Sequence, residues 1–158
     1  MTRQSRPTTQ TIEMDFQIAS NAVRTDCDDG DCVENQPLPP AMAAQPVADK
    51  TPAQWAYERM VLYIQKFEEM LDAEHEVAMG LTGSDAGTLR IQGMGYFAPD
   101  ILTFYGEGPD GAKTQLVQHV SQLNVMLRAA PKVDPEAEPN RIGFRLREKL
   151  EAANDQTP

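Results

Sequence analysis

The chain has 158 residues and a formal net charge of −10. Nonspecific nucleic-acid binders usually present a basic face to phosphates, so this charge argues against tight, nonspecific nucleic-acid binding. The sequence contains no apolar run long enough to cross a membrane, and no apolar stretch follows Arg3 and Arg6, as it would in a secretory signal. We therefore expect a cytoplasmic protein that has no membrane partner and keeps Cys27 and Cys32 reduced.

Composition divides the chain into three predicted regions. Residues 1–50 contain polar runs and a proline cluster but few large apolar residues, and residues 133–140 form a Pro/Glu linker. Such segments bury too little apolar surface to offset the entropy of ordering them. We therefore predict a disordered acidic N-terminal region over 1–50, a folded domain over 51–132, and a linker with a short C-terminal amphipathic segment over 133–158. A core of this size is marginal alone, which favours assembly into a homo-oligomer.

Two cysteines flank an acidic run, DCDDGDC. Thiolates among carboxylates could bind a metal ion, but the spacing around Gly30 does not match a calcium-binding loop. A structural zinc site needs a second ligand pair, and neither His75 nor His119 has a partner nearby in the sequence. The favoured interpretation is a solvated acidic tail with two incidental thiols, Cys27 and Cys32. No metal or cofactor is predicted.

Residues 51–72 carry the pattern of an amphipathic helix. Thr51 is placed as an N-cap, Pro52 occupies the first helical position, and Gln54 follows three residues after the cap. Apolar residues then recur at helical spacing at Met60, Ile64, Phe67 and Leu71. This is the most securely predicted element of the chain.

Short apolar segments alternate with turns over residues 76–130. The segments lie at 77–81, 89–91, 101–105, 116–120 and 125–127. Gly93 and Gly95 lack the side chains that resist strong curvature, so the second strand is predicted to bend. The spacing leaves no room for a crossover helix. We therefore predict an α+β fold in which an amphipathic helix precedes a small, strongly bent antiparallel sheet or barrel of four to five strands.

Two resemblances follow from these residues. The block 57–132, especially GMGYFAPDILTFYG and QLVQHVSQLNVML, resembles an uncharacterised bacterial family of hypothetical proteins known only as a domain of unknown function, which implies no activity. A helix followed by five short strands, with IQG before the bend, is similar to the Sm-like fold of Hfq-type RNA chaperones. In those proteins a Tyr-Lys-His signature ends the fourth strand. Here Val117, Gln118 and His119 stand in its place, with Gln118 replacing the lysine.

The Sm-like resemblance implies a ring of identical subunits that binds RNA. It would place His119 and Gln118 near the inner rim, with Arg90 and Arg128 as the candidate phosphate contacts. Residues 115–120 and 124–128 would form the strand edges that pair between subunits. The alternative for His119 is a histidine whose hydrogen bonds are satisfied within a strand or an interface.

Other candidate residues have simpler structural explanations. Asp100 is interpreted as a turn cap rather than a general base. Ser84 and Ser121 have no His–Asp partners evident in the sequence, so no catalytic residue is predicted. Aromatic residues could stack on bases or fill the core; they are Tyr96, Phe97, Phe104 and Tyr105.

The expected function is therefore a non-enzymatic, homo-oligomeric Sm-like binding module with a regulatory role, whose ligand is RNA, as the more specific version, or a protein partner. A protein–protein interaction adaptor without a nucleic-acid ligand is the alternative. Salt dependence separates the two, because phosphate contacts weaken as salt rises.

Overall fold

The computed structural model describes residues 20–81 and 87–155. The predicted turn over residues 83–86, including Ser84, lies outside the described residues. Contacts divide the chain into two compact units, Met1–Pro37 and Leu38–Pro158. The second unit therefore includes residues 38–50, which the sequence assigned to the N-terminal region. The predicted disorder of residues 1–50 and the domain boundaries at 50 and 132 stay predictions.

The described part of the first unit is a short run of hydrogen-bonded turns. It contains two 3-10 turns, Asp29–Asp31 and Val33–Asn35. The Asn35 side-chain amide donates to the backbone carbonyls of Ala22 and Asp29, which ties the turns together. The two side-chain hydrogen bonds of Asn35 therefore link the turns of this acidic segment.

Three helices belong to the second unit. Helix α1 spans Pro40–Ala43, helix α2 spans Pro52–Glu69 and helix α3 spans Ile142–Asp155. The α2 N-terminus has the predicted cap, because Thr51 Oγ1 accepts a hydrogen bond from Gln54 N at 3.2 Å. Helix α2 ends before the predicted residue 72. Its final turn tightens, because Met70 N and Leu71 N donate to carbonyls three residues back.

Five antiparallel strands form one sheet. They are β1 (His75–Leu81), β2 (Thr88–Phe97), β3 (Ile101–Glu107), β4 (Lys113–His119) and β5 (Val125–Pro131). Their order across the sheet is β4-β3-β2-β1-β5. The α+β class and the antiparallel sheet are therefore confirmed. The predicted closure into a barrel is wrong, because the two outermost strands, β4 and β5, do not pair with each other and the sheet stays open.

Strand β2 changes neighbours along its length. It pairs with β1 over residues 88–90 and with β3 over residues 90–97, and its register shifts between Ile91 and Gly93. A register shift of this kind bends a strand and increases its twist. The register shift lies next to Gly93 and Gly95, the glycines from which the sequence predicts the bend.

One face of the sheet packs on the helices, and we call it the inner face. Its largest fully buried side chains are Met79, Ile91, Leu102 and Phe104, which meet Val61 and Ile64 of α2. The opposite, outer face carries the alternate residues, among them Tyr105 and Val117. Phe104 therefore belongs to the core. Of the two interpretations of the aromatic residues, core filling applies to Phe104.

Helix α3 packs on α2 and completes the core. Ile142 and Leu146 of α3 are buried in the same apolar cluster as α2. The chain between β5 and α3 is also held to the sheet, because Asn140 N donates to Glu76 Oε1 at 2.9 Å. The amphipathic C-terminal segment predicted from the sequence is therefore a helix that adds apolar surface to the small core.

Candidate functional site

Strand β4 pairs with β3 on one side, and its other side is an open edge. Every second residue of β4 directs its backbone N–H and C=O groups to that open edge. Val120 N donates to Asp100 O of the β2–β3 turn at 2.7 Å, whereas His119 N donates to the side chain of Gln122 at 3.0 Å. Successive N–H groups of a strand point to opposite sides. The N–H and C=O groups of Val117 and Gln115 therefore point away from β3, toward the open edge.

His119 lies where β4 ends and caps the 3-10 turn Val120–Gln122. Its Nδ1 accepts a hydrogen bond from Ser121 N at 3.0 Å and lies 2.7 Å from Ser121 Oγ. Its Nε2 lies 3.2 Å from Asp100 Oδ2. This network assigns the neutral tautomer with the proton on Nε2, which donates to the Asp100 carboxylate.

The interpretation that Ser121 lacks His–Asp partners is wrong. Asp100, His119 and Ser121 form one hydrogen-bonded chain, because β3 and β4 pair with Ile101 opposite His119. The backbone N–H of Ser121 also uses the lone pair of Nδ1, which is the nitrogen that would have to accept a proton from the hydroxyl. All three side chains are exposed or half-buried. The chain of hydrogen bonds stabilises the turn between the two edge strands.

Gln118 and His119 do not converge on one site. Gln118 lies opposite the fully buried Leu102, on the inner face, whereas His119 lies opposite Ile101 on the outer face. Adjacent residues of a strand point to opposite faces, so no single ligand surface includes both side chains. The amide nitrogen of Gln118, Nε2, is buried and has no hydrogen-bond partner among the described residues.

Arg90 and Arg128 lie on the outer face, on either side of Ala78. Ala78 of β1 pairs with Arg90 of β2 and with Arg128 of β5. The Arg90 guanidinium already makes contacts within the chain. Its Nη1 lies 3.4 Å from Glu76 Oε2, and its Nη2 donates to Pro131 O at 2.5 Å. Arg128 is exposed. The structure therefore brings the two arginines together but away from His119 on β4.

Apolar side chains are exposed on the outer face. Phe97 is 76% exposed, Val117 59% and Tyr105 43%. Cross-strand pairing puts Phe97 beside Ile101, and the side chains of Thr103 and Tyr105 lie over Gly95 and Gly93. Tyr96 is directed to the other face, where its ring packs against that of Tyr57 with centroids 5.0 Å apart and planes inclined at 52°.

A cavity of about 400 Å³ lies between β2 and α3. Gln92, Arg145, Glu148 and Lys149 line it together with apolar residues of α3. Its charges have both signs, so they select no ligand class. Within the described residues, no three His, Cys, Asp or Glu side chains are grouped as metal ligands, and no described helix is long and apolar enough to span a membrane.

Comparison with known proteins identifies a family but no activity. No curated protein and no solved structure matches the chain. Residues 48–145, more than half of the chain, match the family of unknown function DUF6173. The match covers α2, the entire sheet and the start of α3. The chain belongs to the family of unknown function DUF6173.

Proposed function

We propose that the protein is a non-enzymatic binding module of the Sm-like kind that works as a homo-oligomer. The observation that carries the proposal is the open sheet, whose two edge strands, β4 and β5, each offer seven residues for pairing. Unpaired edges of a small sheet are commonly completed by a neighbouring chain. The proposal keeps the cytoplasmic location expected from the sequence.

The order of elements supports the Sm-like part of the proposal. Helix α2 directly precedes five antiparallel strands, and a 3-10 turn, Val120–Gln122, joins the fourth strand to the fifth. The resemblance implied a helix, five strands and a short turn after the residues that correspond to the Tyr-Lys-His signature. The small core, which needs α3 to cover part of it, is a further reason for copies to associate.

RNA is one candidate ligand. Its contacts would be the exposed Arg128 and, on the same face, Arg90. His119 would contribute separately, from the other end of the sheet.

A protein partner is favoured by a specific observation. Arg90 is paired with Glu76, His119 is hydrogen-bonded to Asp100, and apolar side chains are exposed on the outer face. Exposed apolar surface is typical of protein-binding faces.

Two measurements on the full chain test the proposal. Light scattering should give a mass above that of the 17.5 kDa monomer. Filter binding of a single-stranded RNA, from about 50 to 200 mM salt, then separates the ligands. RNA contacts predict an affinity that falls steeply with salt, whereas a protein adaptor predicts no RNA affinity at any salt. A chain that stays monomeric at high concentration and binds no RNA would contradict the proposal.

A further inference from the structure

We propose that β4 is the primary assembly surface and that it pairs with β4 of a second copy across a two-fold axis. Two five-stranded sheets would then form one ten-stranded sheet. This inference rests on the proposed function, because it specifies the first contact of the homo-oligomer. Two-fold dimers are the commonest closed assemblies.

The first argument is the difference between the two edge strands. Natural edge strands are usually protected by charges, prolines or bulges. Strand β5 has Arg128 in its middle and Pro131 at its end, but β4 has no proline and only one charged residue, Lys113, at its start. Val117 stands 59% exposed in the second half of β4. Strand β4 is therefore the less protected edge.

The second argument concerns the faces of the two sheets. A two-fold axis perpendicular to a sheet turns β4 into an antiparallel neighbour of itself and keeps both outer faces on the same side. The backbone groups of Gln115 and Val117 already point to the open edge. In this arrangement Gln115 exchanges hydrogen bonds with Val117 of the partner subunit, and Val117 does so with the partner's Gln115.

The third argument is the unsatisfied amide of Gln118. Full overlap of the two seven-residue strands places Leu116 opposite the partner's Leu116 and Thr114 opposite the partner's Gln118. Thr114 Oγ1 donates to Ala112 O at 3.0 Å and keeps lone pairs free to accept. Directly opposed side chains have Cβ atoms about 5 Å apart, within reach of a hydrogen bond. In the single chain Nε2 is enclosed, so the Gln118 side chain turns toward the edge on association, and the partner's Thr114 Oγ1 then accepts from it.

A proline scan of the two edges tests this interface in the full chain. Val117→Pro removes a donor on β4 that the intrachain sheet does not use, and Ala129→Pro is the matched change on β5. The Ala129 N–H also points outward, because the N–H of Lys132 points to β1, where it donates to Glu74 O. Edge strands tolerate proline where the N–H faces solvent. Circular dichroism identifies any variant that fails to fold.

Light scattering distinguishes the outcomes. The inference predicts a monomer for Val117→Pro and a dimer for Ala129→Pro. Loss of assembly in both variants would overturn the β4–β4 interface and favour β4–β5 pairing, which leaves the proposed function intact. A monomeric wild-type chain would overturn both proposals. A Val117→Pro variant that still dimerises would overturn this one alone.

A second variant tests the register. Thr114→Val keeps the shape of the side chain but removes the acceptor offered to Gln118 of the partner subunit. Because the contact to Ala112 O is lost in monomer and dimer alike, the dissociation constant of the dimer reports only the two symmetry-related bonds between the subunits. We expect it to rise about tenfold, whereas Thr103→Val on β3, on the opposite face of the sheet from Thr114 and Gln118, leaves it unchanged. Equal dissociation constants for Thr114→Val and wild type would overturn the proposed register.

Discussion

Glu68 of α2 caps the N-terminus of α3. Its Oε1 accepts a hydrogen bond from Gly143 N at 2.9 Å, and its Oε2 accepts one from Phe144 N at 3.3 Å. The carboxylate satisfies N–H groups that a helix leaves unpaired at its start. Its negative charge also lies beside the positive end of the helix dipole, which is a favourable arrangement. The contact fixes α3 on α2, where Ile142 and Leu146 complete the core.

The first prediction concerns the close approach of α3 to α2. A Cβ at Gly143 would lie 2.6 Å from Gln65 N and 2.8 Å from Gln65 Cα. Both are backbone atoms, so Gly143→Ala should displace α3 and lower the free energy of unfolding by about 1–3 kcal/mol. Thermal unfolding measures this. Gly80→Ala is the matched control, because its Cβ would meet other atoms only at 3.6 Å. Equal destabilisation by both changes would contradict the close contact.

The second prediction concerns pH. Burial raises the pKa of Glu68 above its ordinary value of 4.5, although backbone hydrogen bonds from Gly143 and Phe144 oppose the shift. A raised pKa in the folded state means that the folded protein holds this proton more tightly than the unfolded chain does. The stability contributed by Glu68 is therefore complete below pH 4.5 and is lost as pH rises through the raised pKa.

Denaturant unfolding at a series of pH values checks this dependence. The difference in free energy of unfolding between wild type and Glu68→Gln should change with pH. The change should begin near the ordinary pKa of a glutamate and be complete above the raised pKa of Glu68. The exposed neighbour Glu69 provides the control variant, Glu69→Gln. A pH-independent difference between wild type and Glu68→Gln would contradict the assigned shift.

The third prediction concerns the buried ion pair between Lys50 and Glu58. The Lys50 side chain is 0% exposed, and its Nζ lies 3.0 Å from the Glu58 carboxylate and donates to Met42 O at 2.5 Å. Lys50→Met would leave a buried carboxylate unpaired, which costs about 3–5 kcal/mol. The double variant Lys50→Met, Glu58→Leu should recover most of that loss, and chemical denaturation measures both. A single variant as stable as wild type would be inconsistent with this pair.

The fourth prediction concerns Ser121. Its hydroxyl lies 2.7 Å from His119 Nδ1, but Ser121 N donates to the same nitrogen. We expect no covalent labelling of Ser121 by a fluorophosphonate probe, because that nitrogen is engaged as the cap of the turn. Intact-mass spectrometry reads out the labelling, and Ser121→Ala is the blank. Labelling of wild type that disappears in both Ser121→Ala and His119→Ala would refute the non-enzymatic proposal.

The sequence predicts local elements well where short-range patterns determine them. The Thr51 cap and the apolar stripe place α2, and the glycine-rich turn at 108–111 places the β3–β4 hairpin. Counting residues outward from that turn along both strands would also have paired His119 with Ile101. That pairing places His119 beside Asp100. The spacing of His119 and Gln122 also matches a capping box, which is a local signal for the turn after β4.

Long-range contacts were not predictable from these patterns. The open sheet depends on which strands become edges, and alternation of apolar residues does not encode strand order. Gln118 and Arg90 were grouped with a candidate site by resemblance alone. Their pairing across the sheet puts Gln118 on the inner face and Arg90 against Glu76. The capping of α3 by Glu68 joins residues 75 positions apart, which no local pattern indicates.

The central claim is that the chain assembles through its sheet edges. Multi-angle light scattering of the full chain over a range of concentrations tests it most directly. We expect a mass of at least twice 17.5 kDa that falls to the monomer value for Val117→Pro. A wild-type mass of 17.5 kDa at every concentration would contradict assembly through the sheet edges.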